Sequence, residues 1–139
     1  MFTPITGRSA IVTGGTKGIG LSCVERFLRD GWKVGFCARS ADEVEATQRR
    51  LGSNVHGMVA DMGKVEDCLA IVPGTVSAFG RLDALVNNAM LIRYDPIEQV
   101  TEATVDRMMA IGLKGALWGV QALLRQMDPA RGAVVLNLA

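Results

Sequence analysis

Cysteine is scarce and odd in number: Cys23, Cys37 and Cys68 stand apart, with no Cys-x-x-Cys pair among them. That pattern argues against a disulfide framework or a cysteine-based zinc site. It fits core-filling thiols in a reducing compartment, so a cytoplasmic protein is expected. Histidine is scarcer still: His56 is the only one. No metal site is expected, and His56 is read as structural. Charge excess is missing too, since 15 Lys and Arg against 14 Asp and Glu leave a net charge of +1. The charges are interspersed, so neither a nucleic acid nor an anionic membrane is expected as a partner. No apolar run approaches the roughly 20 residues needed to span a bilayer. Met1 to Arg8 show no charged n-region followed by an apolar h-region, so no signal peptide is read. Repeats, low-complexity tracts and linkers are also lacking. What remains is one domain, 1–139, long enough to bury a core.

That domain is rich in apolar residues. They make up 49% of the chain, and the mean hydropathy is +0.24. This is on the apolar side for a small soluble domain, and it implies faces covered by more chain, by another subunit, or by both.

Strand and helix signals alternate with short connections, which predicts an α/β fold with a doubly wound parallel sheet. Strands are expected at 10–13, 34–38, 55–60, 82–86 and 134–138. A helix is expected from Gly18 to Arg29, with Asp30-Gly31 as its C-cap. A second runs to about Leu51, with Ser40 as N-cap, Asp42 and Glu43 in its first turn and Gly52 as stop. A third covers about Val65 to Phe79, with a kink or break at Pro73-Gly74. A long one spans 102–127 and ends at Asp128-Pro129. On it Val105, Met109, Leu113, Leu117, Val120 and Leu124 form one stripe, while Met108, Ile111, Trp118 and Ala122 populate the other side. A helix apolar nearly all round is buried on both faces. One face takes the sheet. The other is expected to take another subunit's helix, as in a homo-oligomer, or else more of the same chain.

The most informative stretch is Thr13-Gly14-Gly15-Thr16-Lys17-Gly18-Ile19-Gly20. It lies between a short buried strand and a helix. Glycines let the backbone come close to a ligand, and the helix then aims free N–H groups and a positive dipole end at an anion. Strand, glycine turn and helix together predict a phosphate site.

The spacing Thr-Gly-x-x-x-Gly-x-Gly, with Asp61 after the third strand and Asn87-Asn88-Ala89 after the fourth, resembles the short-chain dehydrogenase/reductase family. The resemblance runs from Arg8 to Ala139. It implies a Rossmann fold with five strands present and the C-terminal part of the family fold missing. It also implies roles. Gly14, Gly18 and Gly20 match the motif glycines around the pyrophosphate and adenosine, and Thr16, Lys17 and Ile19 line the same turn. Asp61 matches the acid that meets the adenine amino group, with Met62 beside it making backbone contacts. Asn88 and Ala89 match the segment passing the adenine ribose, and Asn87 ties down the central strand.

Charge bears on the choice of cofactor. Members that prefer NAD(H) place an acid at the end of the second strand. Here Ala38 is followed by Arg39 and Ser40, and Lys17 adds a second cation on the glycine turn. Two cations and no carboxylate favour a 2′-phosphate, hence NADP(H) over NAD(H).

The departures from the family pattern also matter. Met90 replaces the glycine that usually follows Asn-Asn-Ala and puts a side chain near the cofactor path. Gly112 stands where the family has an Asn that helps hold a proton-relay water, and it is expected to keep the bend but supplies no side chain. Gly112, Gly115 and Gly119 each cost about 1 kcal/mol inside a helix, so close approach of another backbone is expected there. Aligned on Asn137, the family's catalytic Ser falls after Ala139, and its Tyr-x-x-x-Lys further on. Tyr94, the only tyrosine, is followed four residues later by Glu98. No catalytic residue is therefore assigned. The expected function is the cofactor-binding half of an oxidoreductase that moves a hydride between NADP(H) and a small carbonyl or alcohol. The alternatives are an inactive dinucleotide-binding or assembly module, and a half-enzyme completed by another chain.

Overall fold

A computed structural model describes residues 7–138. The readings that fall on Met1 to Thr6 and on Ala139 lie outside these residues. Five parallel strands form one sheet: β1 (Ser9–Thr13), β2 (Lys33–Ala38), β3 (Val55–Val59), β4 (Ala84–Asn87) and β5 (Val134–Asn137). Their order is β3-β2-β1-β4-β5, so the direction of winding reverses between β1 and β4. In register, Val12 lies beside Phe36 on one side and Val86 on the other.

The strands alternate in two senses at once, because successive side chains point to opposite faces. Val12, Phe36 and Val86 join Val24 of α1 (Gly18–Arg29) and Val44 of α2 (Ala41–Leu51) in one core. Ile11, Cys37 and Leu85 join Cys68, Ile71 and Val72 of α3 (Val65–Phe79) in the other. Both faces of the central strands are buried, which explains why those strands read as nearly continuous apolar runs.

Most expected elements are present, with ends moved by one or two residues. Three differences are physical. First, α3 runs unbroken through Pro73, with no break there. Pro73 lies on the exposed side, while Ile71, Val72 and Thr75 bury the opposite side. Second, a short 3₁₀ turn, Ile97–Gln99, precedes the long helix. Third, that long helix is a composite rod. It comprises α4 (Glu102–Met109), a π-helical turn at Ala110–Lys114, and α5 (Gly115–Gln126). Right-handed helical dihedrals at Ala110 and Gly115 keep the rod continuous.

The rod buries Ile111, Ala122 and Leu123 against the sheet. Val105, Met109, Leu113, Leu117 and Leu124 face outward, whereas Val120 of the same expected stripe packs inward. Close backbone approach holds at Gly115, where a Cβ would sit 2.6 Å from the Met62 carbonyl oxygen. At Gly112 and Gly119 it does not: among the described residues nothing lies within 4 Å of where a Gly112 Cβ would be, and a Gly119 Cβ would meet only the side chains of Asn87 and Leu85.

Candidate functional site: a cavity at the carboxyl ends of the strands

The loops that follow β1, β2, β3 and β4 enclose a cavity of about 340 Å³. It lies where the strand order reverses, the usual ligand crevice of an open parallel sheet. Gly14, Thr16 and Lys17 line it from the glycine turn, and Arg39 and Ser40 from the end of β2. Asp61 and Met62 line it after β3, and Asn88 and Ala89 after β4. Of the remaining expected residues, Gly18 and Ile19 face a separate apolar groove that also includes Phe27, Val86 and Leu136. Gly20 packs behind the turn. Met90 reaches the cavity wall, as the departure from glycine implied.

The turn holds its shape by close packing. Gly14 has φ +67, a left-handed value that favours glycine. A Cβ on Gly20 would collide with the Gly14 carbonyl oxygen and lie 2.5 Å from Asn88 Nδ2. Asn88 Nδ2 donates to the carbonyls of Thr13 (2.9 Å) and Gly14 (3.2 Å). The Asn88 amide therefore braces the turn. Thr13 does more than its place in the motif suggested. Its Oγ1 accepts the N–H groups of Asn88 (3.0 Å) and Ala89 (2.9 Å), which ties the end of β1 to the loop after β4. Asn87 Nδ2 donates to Asn137 Oδ1 at 2.8 Å and so links β4 to β5, the structural role expected of it.

The two helix ends near the cavity differ. The N-terminus of α1 has no side-chain cap and no acidic residue in its first turn, which leaves its N–H groups and dipole available to an anion. In α2 the Ser40 hydroxyl accepts the Glu43 N–H at 3.3 Å, with Asp42 and Glu43 in the first turn.

Charge in the cavity is more evenly balanced than the sequence suggested. The Glu43 carboxylate lines the wall and pairs with Lys17, Nζ to Oε1 at 3.5 Å. It also accepts the Thr16 hydroxyl at 3.1 Å. The end of β2 carries no acid, as read from Ala38-Arg39-Ser40, but α2 brings the Glu43 carboxylate to Lys17, so the second cation of that reading is paired. Among the described residues Arg39 has no ion pair. Asp61 is held from the far side, since Arg107 Nη2 donates to both of its oxygens, at 2.8 and 2.7 Å, and the Gly63 N–H donates at 2.9 Å. Burial pushes the Asp61 carboxyl up. The hydrogen bonds from Arg107 and Gly63, with the charges of Arg107 and Arg39, outweigh burial and hold it below the ordinary 3.8.

Burial pushes the Cys37 thiol up to about 12 and the Cys68 thiol to about 11. Both are poor nucleophiles at neutral pH. Among the described residues there is no cluster of His, Cys, Asp and Glu able to hold a metal ion, and no helix is long and apolar enough to cross a membrane. Tyr94 is 91% exposed, on the loop after β4.

From the sequence Glu43 reads only as a first-turn acid and Thr13 only as the start of the glycine motif, and Arg107 is not singled out. The Ser40-x-x-Glu43 spacing is a signal for a capped helix start, and it conceals that the Glu43 side chain turns to the glycine loop. Arg107 lies 46 residues from Asp61, and nothing local announces the pair.

The family model described as short chain dehydrogenase matches residues 8–139. The cis-2,3-dihydrobiphenyl-2,3-diol dehydrogenase of Paraburkholderia xenovorans is 31% identical over 140 residues, covering 97% of this chain and 50% of the relative. The sorbitol dehydrogenase of Cereibacter sphaeroides is also 31% identical, covering 97% of this chain and 53% of the relative. The chain thus spans about half the length of these relatives. Among solved structures, the 3-ketoacyl-(acyl-carrier-protein) reductase of Brucella melitensis complexed with NADH superposes with a TM-score of 0.89 at 28% identity. That match covers 96% of this chain and 57% of the other. A blue fluorescent protein from a metagenomic library, in complex with NADPH, superposes with a TM-score of 0.85 at 28% identity. It covers 95% and 56% of the two chains.

Proposed function

The chain belongs to the short-chain dehydrogenase family, and from that premise we propose that it is the cofactor-binding half of an NADP(H)-dependent oxidoreductase acting on a small carbonyl or alcohol. The observation that carries this is the glycine turn lining the cavity and leading into an uncapped, acid-free helix N-terminus, with Arg39, unpaired among the described residues, at the end of β2. The residues fit a dinucleotide. The backbone N–H groups at the start of α1 suit a pyrophosphate, Arg39 a 2′-phosphate, and the Asp61 carboxylate an adenine amino group. A bound nicotinamide cofactor supplies the hydride chemistry. These residues bind and orient it. The 139 residues hold no Tyr-x-x-x-Lys, so on this reading they do not catalyse alone. Relatives complexed with NADPH and with NADH support a nicotinamide cofactor without deciding between the two.

Titrating NADPH and NADH into the protein and its Arg39→Ala variant tests the cofactor choice. The expected result is tighter NADPH binding by the unsubstituted protein, reduced about tenfold by the substitution, with NADH little changed. An unchanged preference overturns the assignment.

The reading extends to partners and place. A second copy of the chain is proposed to cover the outward stripe of the long helix, and the buried unpaired thiols Cys37 and Cys68 support a reducing, cytoplasmic location. A second reading, an inactive binding module, is favoured by Gly112, which offers no side chain where the family resemblance implies an Asn. Carbonyl-dependent NADPH consumption by the full-length protein excludes that module.

A further inference from the structure

We infer that Glu43 is a specificity-determining residue that restrains the hold on a 2′-phosphate by occupying Lys17; the inference rests on the NADP(H) reading of the cavity. Among the described residues, four charged side chains line that cavity: Lys17, Arg39, Glu43 and Asp61. Asp61 is taken by Arg107 from outside it, at 2.7 Å. Lys17 is taken by Glu43, which also accepts the Thr16 hydroxyl. Arg39 alone remains to meet an anion at the end of β2.

The placement of Glu43 is informative because a local alternative exists. In a Ser-x-x-Glu helix start, the Glu side chain normally folds back onto the N–H of the capping residue. Here only half of that exchange is made: Ser40 Oγ accepts from the Glu43 N–H. The Glu43 carboxylate instead reaches residues 26 and 27 positions earlier in the chain, bridging α2 to the glycine turn. It thereby places a negative charge on the wall that carries Lys17 and Arg39. A dianionic 2′-phosphate must compete with it for Lys17 and meets its repulsion. A neutral 2′-hydroxyl meets neither. Glu43 thus acts as a brake on NADP(H) and leaves NAD(H) almost untouched.

The test is the Glu43→Gln variant of the complete protein, titrated with NADPH and with NADH by calorimetry at low and at high salt. Gln keeps the length and the hydrogen-bonding oxygen for Thr16. The expected result is NADPH binding tightened by about 3- to 10-fold, as removal of one like charge from the cavity wall and release of Lys17 imply. NADH binding stays within about twofold, and the gain shrinks when salt screens the site. Equal gains for both cofactors overturn the inference, because Glu43 then only obstructs the cavity. Unchanged or weaker NADPH binding also overturns it, because Glu43 then only braces the turn. The NADP(H) reading fails on a different number, the NADPH-to-NADH ratio of the unsubstituted protein and its response to Arg39→Ala. Absence of binding by the unsubstituted protein overturns both.

Discussion

A single hydroxyl, Thr13 Oγ1, receives two backbone N–H groups from the loop after β4. Those N–H groups lie outside the strand ladder and need partners, since buried unpaired donors are costly. Thr13 therefore keeps Asn88 and Ala89 at the cavity wall. Asp61 depends likewise on Arg107, but by charge. Its carboxyl has a lowered pKa, so the pair's contribution is fully present above the ordinary 3.8 and is lost as pH falls through the lower folded value. Arg107→Leu is expected to cost about 1 kcal/mol at pH 7, discounted for the partial exposure of the pair. Urea unfolding of both proteins from pH 7 to 3 checks this. The difference should hold steady down to about pH 4 and narrow below 3.8. A difference independent of pH would mean that Arg107 acts by packing alone.

At the scale of elements, the long helical rod carries the main adjustment. Its π turn, Ala110–Lys114, adds a residue between two regular segments. Such turns are rare and often mark functional places. Here it brings Ile111 to the cavity wall and leaves Gly112 exposed at its centre. Gly112 has no strained φ and no close neighbour, so its cost is that of glycine in a helix. Gly112→Ala should therefore stabilise the protein by about 0.5–1 kcal/mol, read as a higher urea midpoint with an unchanged slope. Destabilisation would show that the π turn needs glycine. Pro73 carries the opposite lesson. A local rule predicts a kink or a break, and no break occurs: α3 runs from Val65 to Phe79 with Pro73 inside it.

At the scale of the whole molecule, two apolar cores sandwich the sheet, and some apolar surface is left over. Leu113, Leu117 and Leu124 are more than half exposed along one side of the rod. An exposed apolar stripe of this kind suits an interface, and the occupant proposed for it is a second copy of the chain. If a second copy covers it, Leu117→Glu should lower the mass measured by sedimentation to that of one chain without lowering the helical circular dichroism signal. A protein already monomeric before substitution would show that a second copy does not cover the stripe.

The chain order of strands and helices, the glycine turn and the two-faced burial of the strands were all determined by the sequence alone. They follow from periodicity and backbone sterics, which act within a few residues. So does the capped start of α2, read from Ser40 and borne out at the Glu43 N–H. Tertiary structure decided what lies across the cavity. Glu43 meets Lys17, Arg107 meets Asp61, and Thr13 meets Asn88 only once strands distant in the chain lie side by side. It also decided which side of the long helix faces outward, because an apolar pattern on both sides cannot choose between them. The balance of charge in the cavity belongs to that second group, since it depends on distances through space between residues that composition only counts.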